Sequence, residues 1–305
     1  MCTENTIPAG HVADLVTSLL ASTQYKPIGL LGRGGMGEVF IVEHRFLCRR
    51  FVLKILRSQL VNTPQLADRM RVEAQSAARL HHPNIVQVVD FWIAAGGRPC
   101  IVMELLKGRT VAAELVARKQ LELEEAITFT CQLLSALAAA HDLGVVHRDI
   151  KPENIFLHEP ADHPRILKVL DFGVARVLPD ALQMAPAPLN VPTKTGTFLG
   201  SPKYASPETI YGEHVDHRAD LYSVGLVLYA MLTGRGAFDR MGPQDVWASY
   251  AAEPPSRCLG SAVTPQLDAI VLRAINFEKT ERFQTARDFY AELSSMFEVN
   301  YGQHS

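Results

Sequence analysis

The amino-acid sequence predicts an α+β protein of two lobes, a small antiparallel β-rich lobe followed by a larger α-helical lobe. Between residues 26 and 104, apolar runs of strand length alternate with Gly-rich or polar turns, a pattern typical of antiparallel strands. After Gly108 the apolar residues recur at helical spacing over long segments instead. A chain of 305 residues is long enough to bury two such cores.

The change of pattern predicts five parts along the chain. We expect an N-terminal extension over 1–24, a small lobe over 25–104, a hinge over 105–108, a large lobe over 109–298 and a C-terminal tail over 299–305. The extension has apolar residues at i, i+3, i+4, i+7 and i+8, which predicts a short helix packed on its own domain. A docking or dimerisation helix is the alternative. These residues are Val12, Leu15, Val16, Leu19 and Leu20.

Strands and helices are predicted from periodicity and turn residues. The small lobe has one predicted long helix, 63–80, with Pro64 near its start. Its predicted strands are 28–31, 39–42, 51–56, 85–93 and 100–104, with Gly96-Gly97 as a turn. The large-lobe helices are predicted over 123–143, 216–232, 243–252, 265–276 and 284–297. The Pro- and Ala-rich stretch 178–192 has no periodicity and predicts a loop.

Composition excludes several function classes. The formal net charge of −2 gives no general attraction for nucleic acid or for an anionic membrane, although a local basic patch is compatible with it. The five cysteines are scattered and never form CxxC, which argues against a disulfide framework or a zinc site. The N-terminus lacks the features of a signal peptide, and the longest apolar run, 221–233, is too short to span a bilayer. We therefore expect a cytoplasmic protein.

A glycine-rich segment, Gly32-Arg33-Gly34-Gly35-Met36-Gly37-Glu38-Val39, has the pattern G-x-G-x-x-G-x-V. Glycines let backbone N–H groups approach phosphates closely. A dinucleotide-binding fingerprint shares this spacing but requires a helix directly after the glycines. The strand-like residues 39–42 follow instead, which favours a phosphate-binding strand–turn–strand.

Two further segments place charged groups beside predicted strands. Lys54 lies inside the apolar run 51–56, where a buried ammonium needs anionic partners; phosphates and Glu73 are the candidates. The segment His147-Arg148-Asp149-Ile150-Lys151-Pro152-Glu153-Asn154 matches H-R-D-x-x-x-x-N, and Asp171-Phe172-Gly173 follows another strand-like run. Carboxylate and amide oxygens at these positions suit Mg²⁺ bound to a triphosphate.

Together these motifs resemble those of eukaryotic-type protein kinases, and most of all those of bacterial Ser/Thr kinases. The resemblance runs from Tyr25 to Phe297 with the motifs in the family's order, and it includes Ser206-Pro207-Glu208 and Asp220. It implies a bilobal protein kinase fold with ATP and Mg²⁺ as cofactors. The implied activity is transfer of the γ-phosphate to Ser or Thr hydroxyls of proteins.

The resemblance also implies roles for individual residues. Asp149 would accept the proton of the substrate hydroxyl, Lys151 would steady the γ-phosphate, and Lys54, paired with Glu73, would hold the α- and β-phosphates. Val39, Val52 and Phe156 would enclose the adenine, with Met103 as gatekeeper and the backbone of Glu104 and Leu106 at its edge. The implied ATP-binding residues are Leu31, Gly32, Gly34, Gly37, Val39, Val52, Lys54, Met103, Glu104, Leu106 and Phe156. The implied metal ligands are Asn154 and Asp171. The implied structural residues are His147, Phe172, Gly173, Glu208, Asp220 and Arg282.

The same resemblance bears on substrates and regulation. Lys151 and the segment 200–208 are similar to the Ser/Thr branch, and dual specificity stays open. Arg148 would bind a phosphorylated loop, and Thr193, Thr195 and Thr197 are its candidate sites, with autophosphorylation expected at Thr195 or Thr197. Expected partners are protein substrates and a second copy of the chain for autophosphorylation in trans; nucleic acid and a membrane span in this chain are not expected.

Two alternatives belong to other classes. A pseudokinase scaffold would bind nucleotide without transfer, but such proteins usually lack Lys54, Asp149, Asp171 or the glycines, all of which are present. A small-molecule kinase of the same fold would lack the activation-loop and Ser206-Pro207-Glu208 segments. Transfer of phosphate to protein acceptors would distinguish a protein kinase from a pseudokinase scaffold and from a small-molecule kinase.

Overall fold

The computed structural model describes residues 11–33, 37–56, 79–94, 96–172, 202–238 and 264–301. The described chain divides into two compact units. The first comprises the described residues up to His81 and those from Val86 to Leu106, and the second comprises residues 82–85 and the described residues from Lys107 onward.

The first unit is built on a five-stranded antiparallel sheet in the order β1-β2-β3-β5-β4. Strand β3 lies at the centre and is buried on both faces after its first residue, as its unbroken apolar run predicts. The predicted strands 28–31, 39–42, 51–56 and 100–104 are confirmed. The strands are β1 (Tyr25–Arg33), β2 (Gly37–His44), β3 (Arg50–Leu56), β4 (Val88–Ala94) and β5 (Arg98–Glu104).

Helix α1 (His11–Leu20) packs on this sheet and completes its hydrophobic core. Val16, Leu19 and Leu20 are buried there, so the predicted packing of this helix on its own domain is confirmed. Tyr25 follows α1 closely and stacks on Trp92 of β4, with ring centroids 6.0 Å apart. Because β1 and β4 are the two outer strands of the sheet, this stack joins its opposite edges beneath α1.

The second unit combines a three-stranded sheet, β6-β7-β8, with six α-helices among its described residues. The predicted helices 123–143, 216–232, 265–276 and 284–297 are confirmed to within a few residues at each end. The strands are β6 (Gly108–Thr110), β7 (Ile155–His158) and β8 (Ile166–Val169), and the helices are α2 (Val111–Arg118), α3 (Leu123–Asp142), α4 (Pro207–Ile210), α5 (Arg218–Thr233), α6 (Pro265–Ala274) and α7 (Ala286–Tyr301).

Helix α5 is the central element of the second unit. Every residue from Ala219 to Met231 is buried, as expected for a helix that is apolar on all sides. A Cβ atom at Gly225 would lie 2.8 Å from Ala274 Cβ and 2.7 Å from Ile275 Cγ2. Glycine is therefore what allows the end of α6 to approach α5 this closely.

Several predictions differ from the structure or lie outside it. The strand predicted over 85–93 begins only at Val88, because Ile85 instead forms a bridge with Val169 in the second unit. The helix 243–252 and the loop 178–192 lie outside the described residues, as does the helix 63–80 apart from its last two positions. Among the helices described, none combines the length and apolar character that crossing a membrane requires.

We predict that Leu20→Ala destabilises the protein by about 2–5 kcal/mol, because it leaves a cavity in the core under α1. The neighbouring exposed residue Thr17 supplies a matched control on the same helix, since Thr17→Ala should change the free energy of unfolding by less than about 0.5 kcal/mol. Urea unfolding followed by circular dichroism measures both. Equal effects of the two substitutions would show that α1 is not part of the core.

Candidate active site

The carboxylate of Asp220, in the first turn of α5, binds the backbone of the HRD segment. Asp220 Oδ2 accepts from His147 N at 2.8 Å, and Oδ1 accepts from Arg148 N at 2.8 Å. His141 Nε2, from α3, lies 2.9 Å from Oδ2. Burial acts to raise the pKa of Asp220, but the hydrogen bonds from His141 and from the backbone of His147 outweigh it and hold that pKa below its usual value. Asp220 therefore binds two consecutive residues, His147 and Arg148, as a carboxylate.

These hydrogen bonds stabilise a strained backbone. Arg148 has φ = 65°, a left-handed conformation that costs an L-residue roughly 1–2 kcal/mol. Such a conformation persists where the surroundings fix it, and the bond from Arg148 N to the buried carboxylate does so. Asp149, the next residue, is therefore presented in one orientation.

His147 connects this segment with Leu170 and Phe172. Its Nδ1 accepts from Asp149 N at 3.2 Å and its Nε2 lies 2.8 Å from the carbonyl oxygen of Leu170. Since a backbone N–H can only donate and a carbonyl can only accept, the imidazole is neutral with its proton on Nε2. Its ring also meets the Phe172 ring edge to face, with the centroids 4.7 Å apart. Two of the residues for which a structural role is predicted, His147 and Phe172, are thus in direct contact.

The Asp149 carboxylate is held by two neighbours. Lys151 Nζ donates to both of its oxygens, at 2.8 and 2.7 Å. Asn154 Nδ2 donates to Oδ2 and to the backbone oxygen of Asp149, both at 2.8 Å. The Asp149 side chain keeps 31% of its surface exposed, so the carboxylate is fixed yet accessible to a molecule from solvent.

Asn154 and Asp171 are brought together by the β7–β8 pairing. Ile155 pairs with Val169, and Leu170 N donates to Asn154 O at 2.8 Å, which places Asn154 next to the residue before Asp171. Asn154 Nδ2 is occupied by Asp149, and its acceptor oxygen Oδ1 receives no hydrogen bond among the described residues. An amide oxygen beside a carboxylate is a donor set that Mg²⁺ prefers, so these residues fit the metal that the resemblance implies.

In the first unit, strand register places four predicted ATP-binding residues on one face of the sheet. Val39 pairs with Lys54, and Val52 pairs with Met103. Partners across a ladder share a face, and so do residues two apart on a strand, so Val52 and Lys54 bring both pairs to the same face. Lys54 is buried, as its position in an apolar strand predicts.

The structure also describes most of the remaining predicted ATP-binding positions. A Cβ atom at Gly37 would lie 2.1 Å from Ile55 O, so only glycine fits where β2 passes β3. Leu31 is exposed, Gly32 pairs with Val39, and Glu104 N donates to Gln87 O. In addition, Leu106 is half-buried in the first unit, and Phe156 is half-buried on β7 of the second unit.

Several candidate residues lie outside the described residues. They are Gly34, Glu73, Gly173, Thr193, Thr195 and Thr197. The predictions made for them therefore stay predictions.

Glu208 and Arg282, two of the residues with a predicted structural role, form an ion pair inside the second unit. Arg282 Nη1 and Nη2 donate to Glu208 Oε1 and Oε2, each at 2.8 Å, in a bidentate arrangement. Arg282 Nε also donates to Asn276 O at 2.7 Å, and its guanidinium lies 4.8 Å from the centroid of the Tyr222 ring. Both charged side chains are almost completely buried, so each depends on the other.

Sequence reasoning missed two contributors to this site. It assigns no specific role to His141, yet His141 is the side chain that hydrogen-bonds the buried Asp220. Asp216, just before α5, binds Arg218 through both carboxylate oxygens. Burial acts to raise the pKa of Asp216, but these bonds lower it to about 2. A lone histidine or aspartate gives no local signal for a partner that is distant in sequence or fixed only by the fold.

We predict that Glu208→Gln destabilises the protein by about 3–5 kcal/mol, because it leaves the buried Arg282 guanidinium without its counter-charge. The exposed pair of Arg287 and Asp142 provides the control, since solvent screens these charges and Asp142→Asn should change the free energy of unfolding far less than Glu208→Gln. Chemical denaturation measures both changes. A loss no larger for Glu208→Gln than for Asp142→Asn would contradict the importance of the buried pair.

Comparison with known proteins agrees with this geometry. Residues 25–285 match the family model of the protein kinase domain. The chain is 36% identical to the serine/threonine-protein kinase pkn3 of Myxococcus xanthus, over 90% of this chain and 50% of that protein. It is 38% identical to the serine/threonine-protein kinase PknB of Mycolicibacterium smegmatis, over 91% of this chain and 43% of that protein. The chain thus spans half the length, or less, of these relatives.

The fold has solved counterparts. The crystal structure of the Mycobacterium tuberculosis PknI kinase domain matches with a TM-score of 0.69 and 25% sequence identity, covering 89% of this chain and 96% of that one. The two-lobed α+β fold predicted from the sequence is confirmed. With the family model covering most of its length, the chain belongs to the protein kinase family.

Proposed function

We propose that this protein is a serine/threonine kinase that transfers the γ-phosphate of Mg·ATP to Ser or Thr hydroxyls of proteins. The observation that carries the proposal is the Asp149 carboxylate, fixed by Lys151 and Asn154 at 2.7–2.8 Å and still accessible. Relatives of the chain from three genera are named serine/threonine-protein kinases, which supports the same activity here.

Asp149 would orient the acceptor hydroxyl and take its proton as the new oxygen–phosphorus bond forms, while the bond from the γ-phosphorus to the β–γ bridging oxygen breaks and ADP leaves. Proximity and hydrogen-bond reach matter more for this step than a pKa near neutrality. Lys151 neutralises part of the carboxylate charge, and its ammonium would contact the γ-phosphate as well. Catalysis by these residues is therefore positioning combined with charge stabilisation.

Each unit carries its own part of the proposed ATP and Mg²⁺ binding. In the second unit, Asn154 Oδ1 and Asp171 would supply oxygen ligands for the metal. In the first unit, the sheet face that bears Val39, Val52 and Lys54 would supply apolar contacts and a cation. When bound, Mg²⁺ neutralises charge on the β- and γ-phosphate oxygens. We assign Glu73, Gly34 and the other predicted residues to ATP binding as well.

Regulation by loop phosphorylation is the finer part of the proposal. Arg148 Nε is buried and has no hydrogen-bond partner among the described residues, and an unpaired buried N–H of a charged group favours an anionic acceptor. A phosphothreonine at position 195 or 197 would supply one, with close to two negative charges. We propose that a second copy of the chain adds this phosphate in trans.

We predict that Asp149→Asn lowers kcat by about 10²–10⁴-fold, because the amide cannot accept the hydroxyl proton. Asp162, an exposed carboxylate between β7 and β8, is the control, and Asp162→Asn should leave the rate unchanged. Transfer of label from ATP with Mg²⁺ to a generic basic protein measures both. Nucleotide binding without any transfer by the unsubstituted protein would instead favour a pseudokinase scaffold.

We also predict that incubation with ATP phosphorylates Thr195 or Thr197 and raises activity, and that Arg148→Gln removes the rise while leaving phosphorylation by the unsubstituted kinase intact. The backbone bond from residue 148 to Asp220 is kept in that variant, so the change tests the guanidinium alone. Phosphopeptide mapping alongside the transfer assay gives both readings. Finding all three loop threonines unmodified in an active protein would contradict this mode of regulation.

A further inference from the structure

The turn between β2 and β3 presents two large apolar side chains to solvent. Phe46 is 83% exposed and Leu47 is 61% exposed. Neither belongs to the hydrophobic core beneath α1, so burial in this unit does not explain two adjacent apolar residues at the end of a hairpin. Exposed apolar groups placed together commonly mark an interaction site.

Hydrogen bonds fix the backbone of the turn, so it is an ordered hairpin turn. His44 Nδ1 accepts from the backbone N–H groups of Phe46 and Leu47, at 3.3 and 3.1 Å. His44 N donates to Arg49 O, and Arg45 N donates to Gln24 O. The apolar side chains are therefore held outward before any partner arrives, which lowers the entropy lost on binding.

Positively charged side chains lie on both sides of Phe46 and Leu47 in the sequence. Arg45, Arg49 and Arg50 are all exposed, and Arg45 and Arg49 form no ion pair with any residue that the structure describes. The carboxylate nearby, that of Glu43, is bound to Lys26 at 2.6 Å and lies 3.9 Å from Arg50. The turn is thus locally cationic in a chain whose formal net charge is −2.

We propose that this turn, residues 44–50, docks the protein on an anionic lipid surface. A bilayer interface is layered, with anionic headgroups outside and acyl chains beneath them, and the turn has the same order, with arginines behind and apolar side chains at the end. An acidic protein surface would match the arginines but would give Phe46 and Leu47 no apolar partner. One apolar tip and three arginines give reversible binding, since stable anchoring requires stronger signals.

The proposal is independent of phosphoryl transfer, and its test is a binding measurement on the full chain. Sucrose-loaded vesicles of phosphatidylcholine, with or without phosphatidylglycerol, are sedimented with the protein. We expect binding to the anionic vesicles only, weakened by added salt because exposed charges are screened. Replacing both apolar residues, Phe46→Ser with Leu47→Ser, should lower the partition coefficient by at least about tenfold, and Arg45→Gln with Arg49→Gln should lower it by about tenfold or more.

Val116 on α2 supplies the matched control, because it is an apolar residue outside the turn that is 87% exposed, and Val116→Ser should leave vesicle binding unchanged. Thermal unfolding of each variant confirms that it is folded. A Phe46→Trp variant adds a direct reading, since insertion into the bilayer shifts its emission to the blue and exposes it to quenching by brominated lipids.

Three outcomes would overturn the proposal. They are sedimentation with neither kind of vesicle, binding that is the same for the unsubstituted protein and the Phe46→Ser, Leu47→Ser variant, and tryptophan emission at position 46 that vesicles do not change. The second of these outcomes, if the Arg45→Gln, Arg49→Gln variant loses binding, would show that the contact is purely electrostatic.

Discussion

One buried carboxylate, that of Asp220, fixes the geometry on which the second unit's chemistry depends. It binds consecutive backbone N–H groups of His147 and Arg148, and so holds the left-handed backbone that presents Asp149. His147, placed in this way, fixes Leu170 and contacts Phe172. A charge at the start of a helix buried on all sides therefore determines where the proposed proton acceptor and a proposed metal ligand lie.

The two units are stabilised by different means. The first relies on aromatic and aliphatic packing, with Tyr25, Phe51 and Trp92 in one cluster under α1. The second buries several charges in pairs and clusters. Beyond Glu208 and Arg282, the buried Glu114 contacts Arg109, Arg118 and Arg165 at 2.9–3.2 Å. Buried ion pairs add little net stability compared with apolar packing, but separating the two charges costs several kcal/mol. They therefore favour one arrangement of the second unit, in which polar groups are held at set distances.

Local sequence signals predicted most of the fold and the centre of the site. The apolar run 51–56 and the helical pattern over 216–232 indicated the right element types because these segments are buried on all sides over most of their length. The spacing of Asp149, Lys151 and Asn154 predicted three groups that do meet. What could not be predicted depends on distant partners. Isoleucine is common in strands, but Ile85 lies outside β4 and forms an isolated bridge with Val169. The hydrogen bond of His141 to Asp220 exists only once α3 and α5 are packed together.

The stack of Tyr25 on Trp92 has a consequence for how the chain folds during synthesis. Helix α1 and Tyr25 leave the ribosome before the rest of the sheet, and the surface they cover is incomplete until β4 and β5 have been made. Pairings between residues so far apart in sequence form late, because loop-closure entropy opposes them. The apolar side of α1 therefore stays open to water, or to a chaperone, for as long as translation needs to reach the end of the sheet, so a segment made early is among the last to be secured.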